Sequence, residues 1–324
     1  MLILSANDIQ QVYTMRDAIE ADKKALKAYT EGQSSVPLRS HFRLQHGQTL
    51  IMPAHIKNTD ICGLKIVSIF PDNPKLGKPS VPAQVFILEP QTGEVCAIID
   101  GTYLTQLRTG AVQGAATELL AKKHCINAVL IGTGGQAASQ LEAMLTVRQL
   151  ENVAVYGLNK SKAQQFIYDM NKRFAHFGAN IYYSDNLDED IAQADIITTV
   201  TTSNQTTFNG ECVKAGTHIN GIGSYTPEMH EIPPNIVEQA AIKVLDTKEG
   251  VFSEAGDIID PINNGMVRPD QFIELGELIL NEQRGRQNED QITLFKSVGT
   301  AVLDVYVGYD IYCKAKAMNI GTYI

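Results

Sequence analysis

Three basic residues in the first part of the chain lie among apolar neighbours and could bind an anion. They are Arg39 in PLRSHF, Lys65 in GLKIVS and Arg108 in QLRTGA. A buried cation is costly unless it is paired, and a substrate carboxylate would supply the missing charge. Arginine can hold a carboxylate with two parallel hydrogen bonds, whereas lysine acts as a compact charge. The pattern alone is equally typical of three surface cations, so both interpretations stay open here.

A glycine-rich turn is the strongest local motif. The strand-like Val129-Leu130-Ile131 is followed by GTGGQA, which matches the pattern GxGxxA and opens a predicted helix. The first glycine of such a turn allows the bend, the second lets the backbone approach a pyrophosphate, and the alanine permits close helix–strand packing. The amino end of the helix then attracts phosphate. The turn predicts a dinucleotide site formed by Gly132, Thr133, Gly134, Gly135, Gln136 and Ala137.

The end of the next strand bears on the choice of cofactor. An NAD-selective enzyme normally has Asp or Glu there to bind the ribose 2′-hydroxyl. This chain has Asn159, Lys160 and Ser161 instead. These residues can receive a 2′-phosphate, which a carboxylate would repel. We therefore favour NADP(H), with NAD(H) as the alternative. Asn159 and Ser161 are also suited to capping the next helix, and the two interpretations are compatible.

Bulk composition narrows the class of protein. The chain has 324 residues, of which 44% are hydrophobic, and a net charge of −9. These values predict a globular protein of two domains that binds neither nucleic acid nor an anionic membrane. No apolar stretch approaches the roughly 20 residues of a membrane span, and no cationic, apolar leader opens the sequence. The five cysteines are scattered without CxxC spacing, which predicts a cytoplasmic protein without a metal site.

The order of the predicted elements indicates an α/β fold. A helix capped near Thr14 precedes period-two strands between residues 36 and 100, which indicate an antiparallel or mixed sheet. A helix over 102–122 then leads into the strand–helix alternation of a doubly wound parallel sheet. A last helix over 299–318 needs a partner for its apolar side. We predict a Rossmann dinucleotide-binding domain at 119–299 and an α+β domain formed by 1–118 with 300–324.

Motifs along nearly the whole chain resemble the ornithine cyclodeaminase/mu-crystallin family. The resemblance implies a homodimer in which the α+β domain binds the substrate and forms the dimer. It also implies that Arg39, Lys65 and Arg108 hold a substrate carboxylate near the nicotinamide. The matching segments are Pro37-Leu38-Arg39, Met52-Pro53-Ala54, Gly63-Leu64-Lys65, Leu107-Arg108-Thr109-Gly110-Ala111, the turn at 132–137 and Leu294-Phe295-Lys296-Ser297-Val298-Gly299.

The same resemblance assigns further residues. Thr109 would touch the cofactor phosphates, and Ser297 and Gly299 would lie near the nicotinamide. We add Thr199, at the end of a predicted strand, to the cofactor site, and Met52 to the substrate site.

Two positions depart from the ornithine cyclodeaminases. Members with that activity resemble GGDCPGKTEL in the loop after a late Rossmann strand, and its Asp handles the substrate amine. Here the loop is GSYTPEMHE, which places Tyr225 at that position, and Leu50 stands where a second acidic contact is expected. A cationic ornithine side chain would then lack its carboxylate partners. The loop looks more like those of members that reduce cyclic ketimines, and we assign Tyr225 to the substrate pocket.

We therefore predict a ketimine reductase that converts Δ1-pyrroline-2-carboxylate or Δ1-piperideine-2-carboxylate to proline or pipecolate. Arg108 would orient the substrate, and Lys65 would polarise the reacting centre. His55 is a candidate proton donor, although a lone histidine is more often structural.

Three other functions stay open. One is alanine-dehydrogenase-like reductive amination of a 2-oxo acid, and another is an opine-type or siderophore-precursor dehydrogenase. The third is a mu-crystallin-like protein in which NADPH-dependent binding matters more than turnover. Ornithine cyclodeamination is disfavoured by Tyr225 and Leu50.

Overall fold

The computed structural model describes residues 1–37 and 39–324. Leu38, the middle residue of the Pro37-Leu38-Arg39 motif, lies outside the described residues. The chain forms two compact units, Met1–Arg108 with Thr300–Ile324 and Thr109–Gly299. Within the described part of the chain, no helix is both long enough and apolar enough to cross a membrane.

The first unit is built on one mostly antiparallel sheet. Its strands are β1 (Leu2–Leu4), β2 (Ser34–Ser35), β3 (Ser40–Leu44), β4 (Gly47–Ile56), β5 (Ile61–Ile69), β6 (Ala83–Leu88), β7 (Val95–Asp100) and, from the end of the chain, β16 (Thr322–Tyr323). They lie in the order β16-β1-β7-β6-β5-β4-β2, and β3 pairs with β4. The consecutive strands β4 to β7 pair antiparallel, which confirms the predicted antiparallel or mixed sheet. β1 joins the sheet parallel to β7, which makes the sheet mixed.

Three helices belong wholly to the first unit: α1 (Ala6–Val12), α2 (Met15–Thr30) and α11 (Ala301–Met318). Thr14 caps α2 as predicted, because its hydroxyl accepts the Asp17 N–H at 3.2 Å and Asp17 accepts the Thr14 N–H at 3.0 Å. α11 packs against α2, β4, β5 and β6. A Cβ added at Gly63 on β5 would lie 3.4 Å from Val305 of α11. The last helix therefore covers the buried face of the sheet.

Helix α3 (Gly101–Leu120) contributes to both units. Its residues up to Arg108 belong to the first unit, and Thr109 begins the second. The change of unit thus falls inside a continuous helix, whereas the sequence analysis placed it near the helix end, between 118 and 119. A hydrophobic pattern cannot mark such a boundary, because the helical period continues across it.

The second unit contains a parallel sheet of eight strands. They are β8 (Asn127–Ile131), β9 (Asn152–Tyr156), β10 (Asn180–Tyr183), β11 (Ile196–Thr199), β12 (His218–Gly221), β13 (Ile242–Leu245), β14 (Phe272–Glu274) and β15 (Thr293–Lys296). The order is β10-β9-β8-β11-β12-β15-β13-β14, and every neighbouring pair is parallel. The predicted doubly wound Rossmann sheet is confirmed. Its order reverses beside β8, the point at which such sheets bind ligands.

The helices of the second unit connect these strands. Besides the second part of α3, they are α4 (Ala137–Val147), α5 (Lys160–Arg173), α6 (Leu187–Gln193), α7 (Pro234–Gln239), α8 (Lys248–Glu254), α9 (Gly256–Asn263) and α10 (Leu275–Leu280). Val129, Ile197, Ile219 and Leu294, one from each of four strands, belong to one buried apolar cluster. This cluster is the core that fixes the strand ends.

A buried polar ladder crosses the middle of the same sheet. His218 contacts the Thr293 hydroxyl through Nδ1 and the Asn220 side-chain oxygen through Nε2, both at 2.9 Å. Asn220 donates in turn to the hydroxyls of Thr117 and Thr198. Burial, together with the charge on Arg286, lowers the pKa of His218 to about 3. The ladder therefore holds a neutral imidazole inside the sheet.

Candidate active site

The first unit holds two of the predicted cations around one buried carboxylate. Lys65 Nζ lies 2.6 Å from Oδ2 of Asp304, and Arg108 Nε lies 2.9 Å from Oδ1 of the same side chain. Lys65 is 2% exposed, Arg108 is 5% exposed and Asp304 is fully buried. Two cations share one anion, so this group of three side chains, here called the cation cluster, carries one net positive charge.

Three elements position the cation cluster. Lys65 lies on the buried face of β5, opposite Met52 of β4 in the strand register. Arg108 lies on α3, and Asp304 lies in the first turn of α11. Arg108 Nη1 is buried and has no hydrogen-bond partner among the described residues. An unpaired guanidinium N–H group in a buried site is a ready donor to an anion.

The electrostatics of Lys65 follow from this placement. Burial and the charges on Arg108 and Arg39 lower the pKa of Lys65, Asp304 opposes the change, and the net result is a pKa of about 8. Arg39, which is half-buried, is thus close enough to act on Lys65. The structure therefore brings both Arg39 and Arg108 within electrostatic range of Lys65.

The sequence analysis missed Asp304, which is the centre of the cation cluster. It treated a substrate as the partner of the buried cations and did not look for an internal carboxylate. The available signal was an acid inside the apolar stretch AVLDVYVGY. An ionised Asp is almost never fully buried unless it is paired, so this position called for a cation elsewhere in the fold.

The side chains of β4 alternate between the two faces of the sheet, so Met52 and His55 lie on opposite faces. Leu50 and Met52 are on the buried face of β4, the face that carries Lys65 on β5, and neither supplies a carboxylate. His55 is on the opposite face, where its Nε2 lies 3.0 Å from Asp60 Oδ1. The structure therefore does not bring His55 to the cation cluster.

The second unit presents the glycine-rich turn between β8 and α4. Gly132 has φ +110, and a Cβ at this position would lie 2.6 Å from the Val200 carbonyl oxygen. A Cβ at Gly134 would meet nothing within 4 Å, and its φ is an ordinary one. The fold itself therefore does not require glycine at 134. An open backbone at the amino end of a helix fits the close approach of a dinucleotide pyrophosphate.

The residues predicted to contact the cofactor ribose lie after β9. Asn159 caps α5, since its Oδ1 accepts the Lys162 N–H at 3.0 Å, which confirms the capping interpretation. Lys160 Nζ lies 2.5 Å from Oδ1 of Asp185 and 4.8 Å from the centre of the Tyr183 ring. Ser161 is exposed. The sequence analysis missed Asp185, a carboxylate that holds the one cation of this segment.

The loop after β15 is fixed by a buried acid. The Ser297 hydroxyl donates to Asp246 Oδ2 at 2.7 Å, and the same oxygen accepts the Val298 and Gly299 N–H groups at 3.0 and 2.7 Å. Thr199 ends β11, and its hydroxyl donates to the Asn220 carbonyl oxygen at 3.4 Å. The predicted cofactor residues after β8, β9, β11 and β15 lie at the carboxyl ends of parallel strands. Thr109, the remaining one, is half-buried on α3.

A second buried acid holds the loop that carries Tyr225. Glu231 accepts the N–H groups of Gly223 and Ser224 at 2.6 and 2.9 Å with one oxygen and that of Thr201 at 2.5 Å with the other. Burial raises the pKa of Glu231, and the charge on Lys296 opposes the change. Tyr225 is 37% exposed. This loop offers a phenol where a cyclodeaminase-like loop has a carboxylate.

The fold and the turn define a dinucleotide-binding protein with a Rossmann sheet. The sequence profile of the ornithine cyclodeaminase/mu-crystallin family matches residues 1–319. The chain belongs to this family, and the predicted resemblance is confirmed.

Three relatives narrow the comparison. A Δ1-pyrroline-2-carboxylate reductase of Bacillus thuringiensis is 36% identical over 327 residues, covering 100% of this chain and 99% of the relative. A Thermococcus litoralis enzyme of the same name, solved with NADH and L-proline, is 35% identical with a TM-score of 0.94 and 100% coverage of both chains. An archaeal alanine dehydrogenase, solved as a dimer with bound NAD, is 32% identical with a TM-score of 0.90, covering 100% of this chain and 98% of the other.

Proposed function

We propose that the chain is an NAD(P)H-dependent reductase of cyclic ketimines, which converts Δ1-pyrroline-2-carboxylate to proline or the six-membered homologue to pipecolate. The observation that carries the proposal is the buried cation cluster, which has one more positive than negative charge. Relatives over the full length of the chain carry the pyrroline-2-carboxylate reductase name. A monocarboxylate substrate supplies the single negative charge that the cluster lacks.

The substrate carboxylate would be held by the cation cluster. The unpaired Nη1 of Arg108 donates a hydrogen bond, while Asp304 keeps Nε engaged and so fixes the plane of the guanidinium. Lys65 is held in place by the same Asp304 and would supply its positive charge close to the substrate carboxylate. Arg39 adds a third positive charge near Lys65. Fixed donors of this kind orient the substrate before reaction.

The reduction adds a hydride to the imine carbon, and the electron pair of the C=N bond moves to the ring nitrogen, which takes a proton from water. The reduced nicotinamide, when bound, supplies the hydride. The residues of this chain orient the ring through its carboxylate, and Lys65 draws electron density toward the cluster. Leu50 and Tyr225 present no carboxylate to a second, cationic amine. This feature separates the proposed substrate from ornithine, whose side chain would bring an unpaired charge.

The cofactor site accepts a phosphate at its ribose end in this proposal. Asn159, Lys160 and Ser161 contain no carboxylate, which supports NADP(H), whereas the pairing of Lys160 with Asp185 limits the preference and keeps NAD(H) in use. Asn159→Asp should weaken NADPH relative to NADH by about tenfold, equivalent to about 1.4 kcal/mol. The ratio of the two dissociation constants, from fluorescence titration, checks this. An unchanged ratio would contradict a role of Asn159 at the 2′-phosphate.

We also propose a homodimer that forms through the first unit. The sheet face opposite α11 carries half-buried apolar side chains that are paired across the strands: Ile51 with Ile66, Leu64 with Phe86, and Phe86 with Ile98. An apolar sheet face of this kind is typical of a subunit interface. The archaeal alanine dehydrogenase with a TM-score of 0.90 was solved as a dimer.

The five cysteines are free thiols, which supports a cytoplasmic location.

A screen of substrates tests the proposed function. The purified chain is incubated with NADPH or NADH and with Δ1-pyrroline-2-carboxylate, Δ1-piperideine-2-carboxylate, pyruvate or other 2-oxo acids, with and without ammonia. We expect oxidation of the cofactor with the cyclic imines without ammonia, and proline or pipecolate as product. A reaction that needs pyruvate and ammonia would replace the proposal by alanine dehydrogenation, the second candidate because of the 32% identical relative.

Two further outcomes would point elsewhere. Turnover that needs both an amino acid and a 2-oxo acid would indicate an opine-type enzyme. Tight cofactor binding without turnover on any imine or oxo acid would indicate a binding protein.

A further inference from the structure

Asp22 is a buried acid that the proposed function has not used. It lies on α2 and is 0% exposed, and neither carboxyl oxygen has a hydrogen-bond partner among the described residues. Its neighbours along the helix, Ala18, Ala21 and Ala25, are buried small residues. An ionised carboxylate in such a position would cost many kcal/mol, and buried polar groups without partners are rare in folded proteins.

The fold places Asp22 beside the cation cluster. α2 packs against α11, the helix that carries Asp304. Burial raises the pKa of the Asp22 carboxyl well above its usual range, the charge on Arg108 opposes the rise, and the charge on Asp304 adds to it. Arg108 and Asp304 are thus the charged groups that act on Asp22. Tyr13, in the turn before α2, is a further titratable group near Asp22, and burial raises the pKa of its phenol.

We propose that Asp22 is a positioning residue that sets the charge of the substrate-carboxylate site by remaining a neutral acid. With Asp22 neutral, Lys65, Arg108 and Asp304 keep one net positive charge. With Asp22 ionised, the four side chains sum to zero, and the attraction for a substrate carboxylate falls. The inference rests on the proposed function, because it takes the ligand of the cluster to be a carboxylate.

Proton binding and carboxylate binding are linked in this arrangement. A bound substrate carboxylate adds a negative charge near Asp22 and so favours its protonated form. By thermodynamic reciprocity, protonation of Asp22 favours substrate binding by the same factor. Lys65 also titrates and is itself under the influence of Arg39. The contribution of Asp22 must therefore be separated from that of Lys65 by substitution of Asp22 alone.

The first experiment observes the proton directly. Carboxyl-carbon NMR of the full chain labelled with 13C at the aspartate side chains follows each carboxyl from pH 4 to pH 9. We expect one resonance with a midpoint well above that of an ordinary aspartate, and we expect it to be absent from Asp22→Asn. Adding L-proline with NADH, a pair that cannot react with each other, should raise this midpoint by about one pH unit, a tenfold change in proton affinity. A midpoint in the ordinary aspartate range near pH 4, or one that bound proline leaves unchanged, would overturn the inference.

The second experiment measures L-proline affinity in the presence of NADH as a function of pH. Wild type and Asp22→Asn should agree within twofold below the midpoint. Above it, wild type should lose up to tenfold more affinity than the variant over the next pH unit. Glu20→Gln, an exposed change on the same helix, should follow wild type. A constant ratio between wild type and Asp22→Asn at every pH would indicate a purely structural role and reject the proposal.

Two further outcomes can be interpreted: a variant that does not fold, and a chain that does not bind proline. If Asp22→Asn does not fold, the wild-type titration decides, because burial raises the pKa of the Asp22 carboxyl well above its usual range and bound proline should shift its midpoint. If proline fails to bind while a carboxyl titrates well above the ordinary aspartate range, the proposed substrate is wrong, and the neutral state of Asp22 is supported.

Discussion

Asp304 gives the two buried cations their fixed geometry. Removing one partner of a buried ion pair leaves an uncompensated charge, so such pairs hold position more than they add stability. Because one carboxylate serves both Lys65 and Arg108, the cation cluster is rigid without being neutral. A surplus charge held rigidly in a buried place is the property that a carboxylate-binding site needs.

The pH dependence of the reaction should report Lys65. Burial lowers the pKa of this lysine to about 8, and the proposed binding requires its cation. We expect kcat/KM for Δ1-pyrroline-2-carboxylate to fall as pH rises through about 8, and kcat to fall only at higher pH, because a bound carboxylate stabilises the cation. Steady-state assays from pH 6 to pH 10 check this.

Lys65→Arg is the matched variant, since an arginine keeps its charge over this range. Its residual activity should lack the decline near pH 8, whereas exposed Lys57→Arg should behave as wild type. A wild-type kcat/KM that stays flat to pH 10 would show that the charge of Lys65 is not needed.

Asp185 should limit the use of NADPH. Its carboxylate lies 2.5 Å from Lys160 Nζ, and 78% of its side chain is exposed. Asp185→Asn frees the cation and removes a negative charge from the proposed 2′-phosphate site. Exposed ion pairs contribute little, so we expect the preference for NADPH over NADH to rise by only about three- to fivefold. Dissociation constants for both cofactors give the result, with exposed Asp188→Asn as the control. An equal effect of the two changes would remove Asp185 from the site.

The residues proposed to bind ligands were easier to predict from the sequence than the residues that hold them in place. Lys65, Arg108 and the turn at Gly132 stood out because their types are unusual in apolar or turn contexts. Asp304, Glu231 and Asp246 did not, because each acts through contacts with residues distant in the chain or with backbone N–H groups. Such partners follow from the fold, and a single sequence does not display them.

At the scale of elements, α3 and α4 approach each other closely at Gly110. A Cβ added there would lie 2.5 Å from the Ser139 carbonyl oxygen and 2.8 Å from the Ser139 carbonyl carbon. These are backbone atoms of a helix, so they cannot make room by a change of side-chain rotamer. Gly110→Ala should therefore destabilise the protein by about 1–3 kcal/mol, despite the better helix propensity of alanine. Thermal unfolding measures the loss.

Gly134→Ala is the matched control for that change. A Cβ at 134 meets no atom of the protein within 4 Å, so we expect an unchanged unfolding temperature but at least tenfold weaker NADPH binding. An equal loss of stability in both variants would contradict the close approach at Gly110. Undiminished cofactor binding by Gly134→Ala would contradict the pyrophosphate site.

The long helices and most of the strands were predicted from the sequence, whereas the short helices were not. The helices α2, α3, α5 and α11 and the strands β4 to β9 each carry a clear period or cap. The sequence analysis did not detect β1, which needs β7 and β16 as partners, or the short helices from α6 to α10. A strand as short as β1 and helices of only about two turns have too few positions to show their period, and tertiary packing decides their conformation.

For the whole molecule, the apolar sheet face of the first unit should decide the assembly. Phe86 is half-buried at the centre of this face, between Leu64 and Ile98 in the register. Phe86→Glu would place a charge in the proposed interface, where desolvation is costly. We expect wild type to have the mass of a dimer by light scattering and the variant that of a monomer. Tyr168→Glu, at a 56% exposed position on α5, should remain dimeric. A wild-type monomer would exclude the interface.

The buried imidazole of His218 makes the stability of the second unit sensitive to acid. His218 resists a proton until the pH reaches about 3 in the folded chain, whereas an unfolded histidine accepts one near pH 6.5. Between these two pH values His218 binds a proton in the unfolded chain but not in the folded chain, so unfolding is coupled to proton uptake. Acidification therefore favours the unfolded chain progressively from about pH 6.5 downward, and the nucleotide-binding half of the molecule carries its own sensitivity to acid, independent of any ligand.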